Sequence, residues 1–202
     1  MDNAVALVRA YLHVNGYFTV TEHPVIEATG DGSYRSVTDL DVLAFRFPGA
    51  GRLVAGEEDG AIKRFEPDDE LGVPADRADM LVGEVKESRA ELNRGATDNA
   101  VLRAALVRFG CCDPDHVESA LGELRGRGET TLPDGHAARL VAFGSTVEEN
   151  PEQPYRKIRL GHVLDFLRAY VDEYWEVLRH SEFKDPAFGF LMTLEKARRD
   201  GG

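Results

Sequence analysis

The chain has 202 residues, 43% of them hydrophobic and 30% charged, with a formal net charge of −12. This composition is typical of a soluble globular protein and excludes a disordered chain, and no apolar run approaches the ~20 residues that span a bilayer. The first residues, MDNAVALVRAYL, include an early acid and lack the basic segment of a secretory signal, so we expect a cytoplasmic protein without membrane association.

The acidic balance also bears on the class of partner. Proteins that bind nucleic acid by neutralising phosphates usually carry a basic surface, so a strong non-specific DNA clamp is not indicated. A local basic face on an acidic body remains open, because the arginines concentrate in one part of the sequence. They include Arg89, Arg94, Arg103, Arg108, Arg125 and Arg127.

The chain begins with a pattern that predicts an amphipathic helix over residues 3–13. Apolar side chains recur there at i, i+3, i+4, i+7 and i+8, which forms one stripe along a helix. Asp2 or Asn3 is the expected N-cap, and Asn15-Gly16 is the expected end.

Strands follow this helix. Two short aromatic and β-branched runs, YFTVTE and PVIEA, predict the first two strands, and DVLAFRF (residues 41–47) predicts the third. Residues 49–78 are rich in Gly, Asp and Glu and indicate a long loop. The next run, MLVGEVK (residues 80–86), is largely apolar, which is typical of a central strand covered on both faces.

The second half of the chain is mainly helical. Thr97-Asp98 caps one predicted helix, and Asp113-Pro114 begins another with Pro at its first position. A strand over 136–145 precedes a loop, a long C-terminal helix and a last helix over 186–199. The order α-β-β-β-loop-β-α-α-β-α-α predicts an α/β fold with a mixed central sheet flanked by helices.

Three charged residues lie in the predicted strands. Successive side chains of a strand point to opposite faces, so Glu84 and Lys86 share one face and Val85 points away. If the strand that begins at Asp41 pairs with this one, the three charged side chains converge at one edge of the sheet. Two such carboxylates suit a hard cation such as Mg²⁺ or Mn²⁺, and Lys86 beside them is suited to act on a water or a phosphate.

The segments TDLDVLAFR and VGEVKES together resemble the PD-(D/E)xK nuclease superfamily, which includes restriction endonucleases, archaeal Holliday-junction resolvases and Mrr-like defence enzymes. The resemblance covers residues 3–145 and implies a restriction-endonuclease-like α-β-β-β-α-β core that hydrolyses DNA with Mg²⁺ or Mn²⁺. It implies metal binding by Asp41 and Glu84 and a catalytic role for Lys86. Arg89 and Arg94, which follow the catalytic strand, are the expected phosphate contacts.

The chain departs from the pattern of this superfamily in two ways. Asp41 and Glu84 are 43 residues apart, which implies an insertion within residues 49–78. Many members carry a Glu in the first helix, whereas residues 3–15 contain no acid, and Glu22 or Glu27 are the candidates to replace it.

Domain organisation and alternative functions follow from the same pattern. We expect a nuclease core over 1–150 and a helical C-terminal extension over 151–202 packed on it, with a homodimer through these helices as an option. One alternative is a catalytically inactive nuclease-fold protein that serves as an interaction or regulatory subunit. Another is an unrelated α/β protein with fortuitous charges, in which Asp41 and Glu84 lie far apart.

Overall fold

The computed structural model describes residues 2–53 and 64–200, and these form one open sheet with helices on both faces. The helices are α1 (Asn3–Val14), α2 (Asn99–Arg108), α3 (Val117–Arg127), α4 (Leu160–Glu173), α5 (Trp175–Leu178) and α6 (Pro186–Asp200). The strands are β1 (Phe18–Ala28), β2 (Tyr34–Arg46), β3 (Asp79–Arg89), β4 (Glu129–Thr131), β5 (Ala137–Thr146) and β6 (Arg156–Arg159). The predicted α/β class with a mixed sheet is confirmed.

The sheet has six strands in the order β1-β2-β3-β5-β4, with β6 also paired to β5. The first three strands are antiparallel to one another, whereas β3 and β5 are parallel. A parallel pair needs a crossover connection, and α2 and α3 provide it between β3 and β5. The strands β4 and β6 pair with successive parts of the same edge of β5.

Each face of the sheet carries its own hydrophobic layer. On one face, Val42, Leu81 and Phe143 pack with α1, α4 and α6. On the other face, Leu43 and Val82 pack with α2 and α3. The predicted central strand is therefore β3, which is buried on both faces along its first half. The predicted stripe of α1 is buried except for Leu7, which is partly buried, and Asp2 is the N-cap and Asn15 the C-cap.

Several element boundaries differ from the predicted ones. The two runs YFTVTE and PVIEA form one strand, β1, whose pairing with β2 skips Glu22, a residue with a φ of 52°. The predicted helix start at Pro114 is wrong: α3 begins at Val117, because Asp113 instead closes a turn by accepting hydrogen bonds from the backbone amides of Asp115 and His116. The predicted long C-terminal helix ends at Glu173 and is followed by the short α5.

The segment after residue 150 contributes to both the sheet and the core. It contains β6, which the sequence did not predict because only Ile158 of its four residues is buried. In α4 and α6, Val163, Leu167 and Phe188 share a hydrophobic cluster with α1. None of the helices in the described part of the chain is long and apolar enough to cross a membrane. Within the predicted insertion at 49–78, residues 54–63 lie outside the described residues.

Candidate active site

The three predicted catalytic residues lie where β2 and β3 separate. The backbone ladder between these strands runs from the pair Arg46–Asp79 to the pair Val42–Gly83. At the next position the carboxylate of Asp41 accepts a hydrogen bond from the backbone N–H of Val85 at 2.8 Å. The side chain of Asp41 therefore takes the place that a backbone carbonyl of β2 would occupy in a continued ladder. This contact fixes Asp41 next to Glu84.

Glu84 is a buried acid with an incomplete set of partners. Only 4% of the Glu84 residue is exposed to solvent. Its Oε1 accepts a hydrogen bond from the side-chain amide of Asn93, whereas its Oε2 has no hydrogen-bond partner among the described residues. Burial, followed by the negative charge of Asp41, raises the pKa of Glu84 from 4.5 to about 7. A buried carboxylate that lacks donors is costly unless a cation compensates it.

Asp41 is half-buried and stands in a negative environment. Burial is the main cause that raises its pKa, and the charges of Asp2 and Glu22 raise it further. The N–H of Val85 and the charge of Lys86 act in the opposite direction. The site therefore collects negative charge from the N-cap of α1 and from β1, β2 and β3.

Of the two acids proposed to replace the missing helix acid, only one lies beside the site. Glu22 lies between the pairs Thr21–Val42 and His23–Leu40, opposite Asp41, and its charge raises the pKa of Asp41. Glu27 instead faces Arg35 across the exposed end of the β1–β2 hairpin, at 3.4 Å. The sequence indicated Asp2 only as a helix cap, a role that it does fill by accepting from the N–H of Ala4 at 2.7 Å.

Lys86 is half-buried and lies on the same strand face as Glu84, as the alternation of β3 predicts. Its positive charge lowers the pKa of both Asp41 and Glu84. Among the described residues, Lys86 forms no ion pair within 4.0 Å. Val85, between them, points away and packs against the opposite core layer.

The two predicted phosphate contacts differ in their surroundings. Arg89 forms ion pairs with Glu91 at 3.1 Å and with Glu148 at 2.8 Å. Arg94 is exposed and forms no ion pair with a described residue. The guanidinium of Arg94 is therefore available to an anion, whereas that of Arg89 is already occupied by two carboxylates.

Sequence reasoning missed Asn93, which contacts Glu84 directly. Asn93 lies in the loop between β3 and α2, and its Oδ1 accepts a hydrogen bond from the backbone N–H of Ala96 at 2.6 Å. Nothing in the loop sequence distinguishes this Asn from an ordinary turn residue. Its role depends on the approach of the loop to β3, which only the folded structure reveals.

The donor set of the site fits a hard divalent cation. Two carboxylates with raised pKa values lie on the neighbouring strands β2 and β3, and one of them has a buried oxygen without a partner among the described residues. No group of three or more His, Cys, Asp or Glu side chains is arranged as a metal site in the described ranges. Mg²⁺, however, commonly binds through one or two carboxylates and completes its shell with waters and substrate phosphates. Asp41 and Glu84 are therefore the two side chains that would hold such an ion.

Two other buried carboxylates, those of Asp79 and Asp68, differ from Glu84 because both of them have several hydrogen-bond partners. Asp79 accepts hydrogen bonds from Arg139 at 2.9 and 2.6 Å and also from the hydroxyl of Tyr17. Asp68 accepts from the hydroxyl of Tyr11 at 2.6 Å and lies 2.5 Å from His162 Nε2. Both networks lie away from Glu84 and join structural elements to one another.

Comparisons with known protein families, with curated proteins and with solved structures found no match to this chain. The candidate site is therefore defined by the contacts of Asp41, Glu84 and Asn93 and by the position of Lys86 in β3.

Proposed function

We propose that the protein is a metal-dependent nuclease that hydrolyses phosphodiester bonds in DNA. One observation carries the proposal. Asp41 accepts a hydrogen bond from Val85, the residue after Glu84, where β2 and β3 separate; Glu84 is buried and short of partners, and Lys86 lies on the same face of β3.

The topology of the sheet supports a restriction-endonuclease-like core. The elements α1, β1, β2, β3, α2 and β5 follow the order α-β-β-β-α-β, and the first three strands are antiparallel while β3 and β5 are parallel. On this interpretation α3 and β4 are additions between α2 and β5. The helices α4 and α6 complete the core layer that covers α1.

Asp41 and Glu84 would hold the ion, Mg²⁺ or Mn²⁺. Burial raises the pKa of both acids, and the charge of Asp41 raises the pKa of Glu84 further, so both acids favour exchange of a proton for a divalent cation. When bound, such an ion acts as a Lewis acid on a phosphoryl oxygen and lowers the pKa of a water ligand. The hydrogen bond from the Val85 N–H holds the Asp41 carboxylate in place without an ion.

Lys86 supplies positive charge beside the two acids. A half-buried ammonium group in this position stabilises the negative charge that develops on the phosphate during hydrolysis, and it donates hydrogen bonds that orient an attacking water. Arg94, exposed on the neighbouring loop and free of ion pairs with described residues, is suited to hold a phosphate of the DNA backbone. Arg89 has a smaller expected part because Glu91 and Glu148 already neutralise it.

A second candidate function is a non-catalytic interaction or regulatory subunit with the same fold. The net charge of −12 and the ion pairs of Arg89 favour it, because both oppose the approach of a polyanion. This candidate predicts that the carboxylates bind no divalent cation. It also predicts that no form of DNA is cleaved.

A cleavage assay tests the proposed function. Purified protein with Mg²⁺ or Mn²⁺ should nick or cut linear, supercoiled or branched DNA, and Lys86→Met should lower the rate by about 10²–10⁴-fold with the fold preserved. Lys157→Met is the matched control, because Lys157 aligns with Ala142 on the far side of β5 and its ammonium donates to the backbone carbonyl of Glu148. Cleavage that Lys86→Met leaves unchanged, or no cleavage of any DNA form by the wild type, would contradict the proposal.

A further inference from the structure

The loop between β3 and α2 contacts Glu84 and packs closely against the neighbouring strands. Ala90 crosses Gly144 of β5 so closely that a Cβ on this glycine would clash with the Ala90 backbone, and the Ala90 N–H donates to the carbonyl of Thr146 at 2.8 Å. At the other end of the loop, a Cβ on Gly95 would lie 2.9 Å from the hydroxyl of Thr38 on β2. The loop is therefore packed against both neighbours of β3.

Asn93 occupies the middle of this loop and uses both ends of its side-chain amide. Its nitrogen donates to Glu84 Oε1, and its oxygen accepts from the N–H of Ala96 at 2.6 Å. The hydroxyl of Thr97 donates to the carbonyls of Asn93 and Arg94 at 3.3 and 3.2 Å and closes the turn. Because the oxygen is already engaged, the amide presents its donor to Glu84 in a fixed orientation.

The contact with Asn93 leaves the two carboxylate oxygens of Glu84 in different surroundings. Oε1 is tied to Asn93, whereas Oε2 is buried without a partner among the described residues. A carboxylate held by one oxygen loses rotational freedom about its last bond, and the other oxygen keeps its lone pairs for a ligand. An amide suits this task because it donates without adding charge or titrating.

We propose that Asn93 is a positioning residue that orients the Glu84 carboxylate so that Oε2 faces the cation. This inference rests on the proposed function in that it assumes a divalent ion at Asp41 and Glu84. It extends that function because it gives a loop residue other than Asp41, Glu84 and Lys86 an effect on the affinity for the metal. Residues that hydrogen-bond to a metal ligand typically change the affinity by about 10–100-fold when they are replaced.

The test measures Mn²⁺ affinity by electron paramagnetic resonance and by calorimetry. Asn93→Ser is the informative variant, because a Ser hydroxyl still accepts from the Ala96 amide but is too short to reach Glu84. We expect Asn93→Ser to weaken Mn²⁺ binding by about 10–100-fold while circular dichroism shows that the variant is still folded. In a Glu84→Gln background, Asn93→Ser should cause no further loss, since Asn93 acts through that carboxylate.

A control variant separates orientation of Glu84 from stability of the loop. Thr97→Val removes the hydroxyl that closes the turn but leaves the amide of Asn93 in place, so we expect Mn²⁺ affinity close to that of the wild type. Equal losses in Thr97→Val and Asn93→Ser, or wild-type affinity in Asn93→Ser, would overturn the inference. The inference would also be overturned if Asn93→Ser lowered Mn²⁺ affinity by the same factor in the wild-type and Glu84→Gln backgrounds.

The failure of this inference is distinguishable from failure of the proposed function. If the wild type binds Mn²⁺ but cleaves no DNA, the nuclease function is wrong and the comparison of variants still decides the role of Asn93. If the wild type cleaves DNA and Asn93→Ser binds Mn²⁺ equally well, only the role of Asn93 is wrong. If the wild type binds no Mn²⁺, both are wrong.

Discussion

Two buried acids on the same strand, Asp79 and Glu84, have opposite surroundings. Both are almost inaccessible, with exposed fractions of 0% and 4%. Asp79, at the start of β3, receives two hydrogen bonds from Arg139 and one from Tyr17. Glu84, further along β3, receives one from Asn93 and faces the negative charge of Asp41.

The difference separates an acid that supports the fold from an acid that is available for binding. The charge of Asp79 is compensated by a guanidinium that also bonds to the carbonyl of Leu71, so this network ties β3 to β5 and to the segment before β3. The charge of Glu84 is not compensated in this way. A folded protein that keeps such a group buried destabilises itself at that position, which is common where a ligand later supplies the missing charge.

The largest expected effect concerns Asp79. We expect Asp79→Ala to lower the free energy of unfolding by about 3–5 kcal/mol, because it leaves the Arg139 guanidinium buried without its partner. Urea-induced unfolding followed by circular dichroism measures this change. The double variant Asp79→Leu/Arg139→Met should recover most of the loss, and a single-variant loss below about 1 kcal/mol would show that the pair is not needed for stability.

A smaller effect of opposite sign concerns Glu84 and depends on pH. The pKa of Glu84 is raised to about 7 in the folded protein from 4.5, so the folded state binds the proton more tightly than the unfolded state and stability falls as pH rises between these values. We therefore expect Glu84→Gln without added metal to match the wild type near pH 4. Above pH 7 it should be more stable by up to about 3 kcal/mol.

Unfolding curves recorded across this pH range check the prediction for Glu84. Asp79→Asn is the matched control. It should destabilise the protein at neutral pH, where Glu84→Gln stabilises it. If Glu84→Gln destabilises the protein above pH 7, then Glu84 is a structural acid like Asp79.

Much of the fold was predictable because it depends on local pattern. The apolar stripe and caps of α1 and the apolar run of β3 gave correct elements. The strand alternation also placed Glu84 and Lys86 on one face, opposite Val85. The convergence of Asp41 with Glu84 required the further assumption that β2 and β3 pair, which their register confirms.

The features that escaped prediction depend on contacts between distant parts of the chain. The strand β6 has little hydrophobic pattern of its own and is held by its pairing with β5. The compensation of Asp79 by Arg139 joins residues in different strands, and neither is distinguishable in sequence from a surface charge. The same holds for the bond from Asn93 to Glu84 and for the ion pairs that occupy Arg89.

Binding of Mn²⁺ at the Glu84 end of β3 is the central claim, and thermal unfolding with increasing Mn²⁺ tests it most directly. A ligand at 100 times its dissociation constant stabilises the folded state by about 2.7 kcal/mol, so the wild type should show a saturable rise in unfolding temperature. Asp41→Ala should abolish this rise, whereas Glu27→Ala, which changes an acid away from the site, should retain it. A wild type that Mn²⁺ does not stabilise, or a rise that Asp41→Ala leaves intact, would contradict the account.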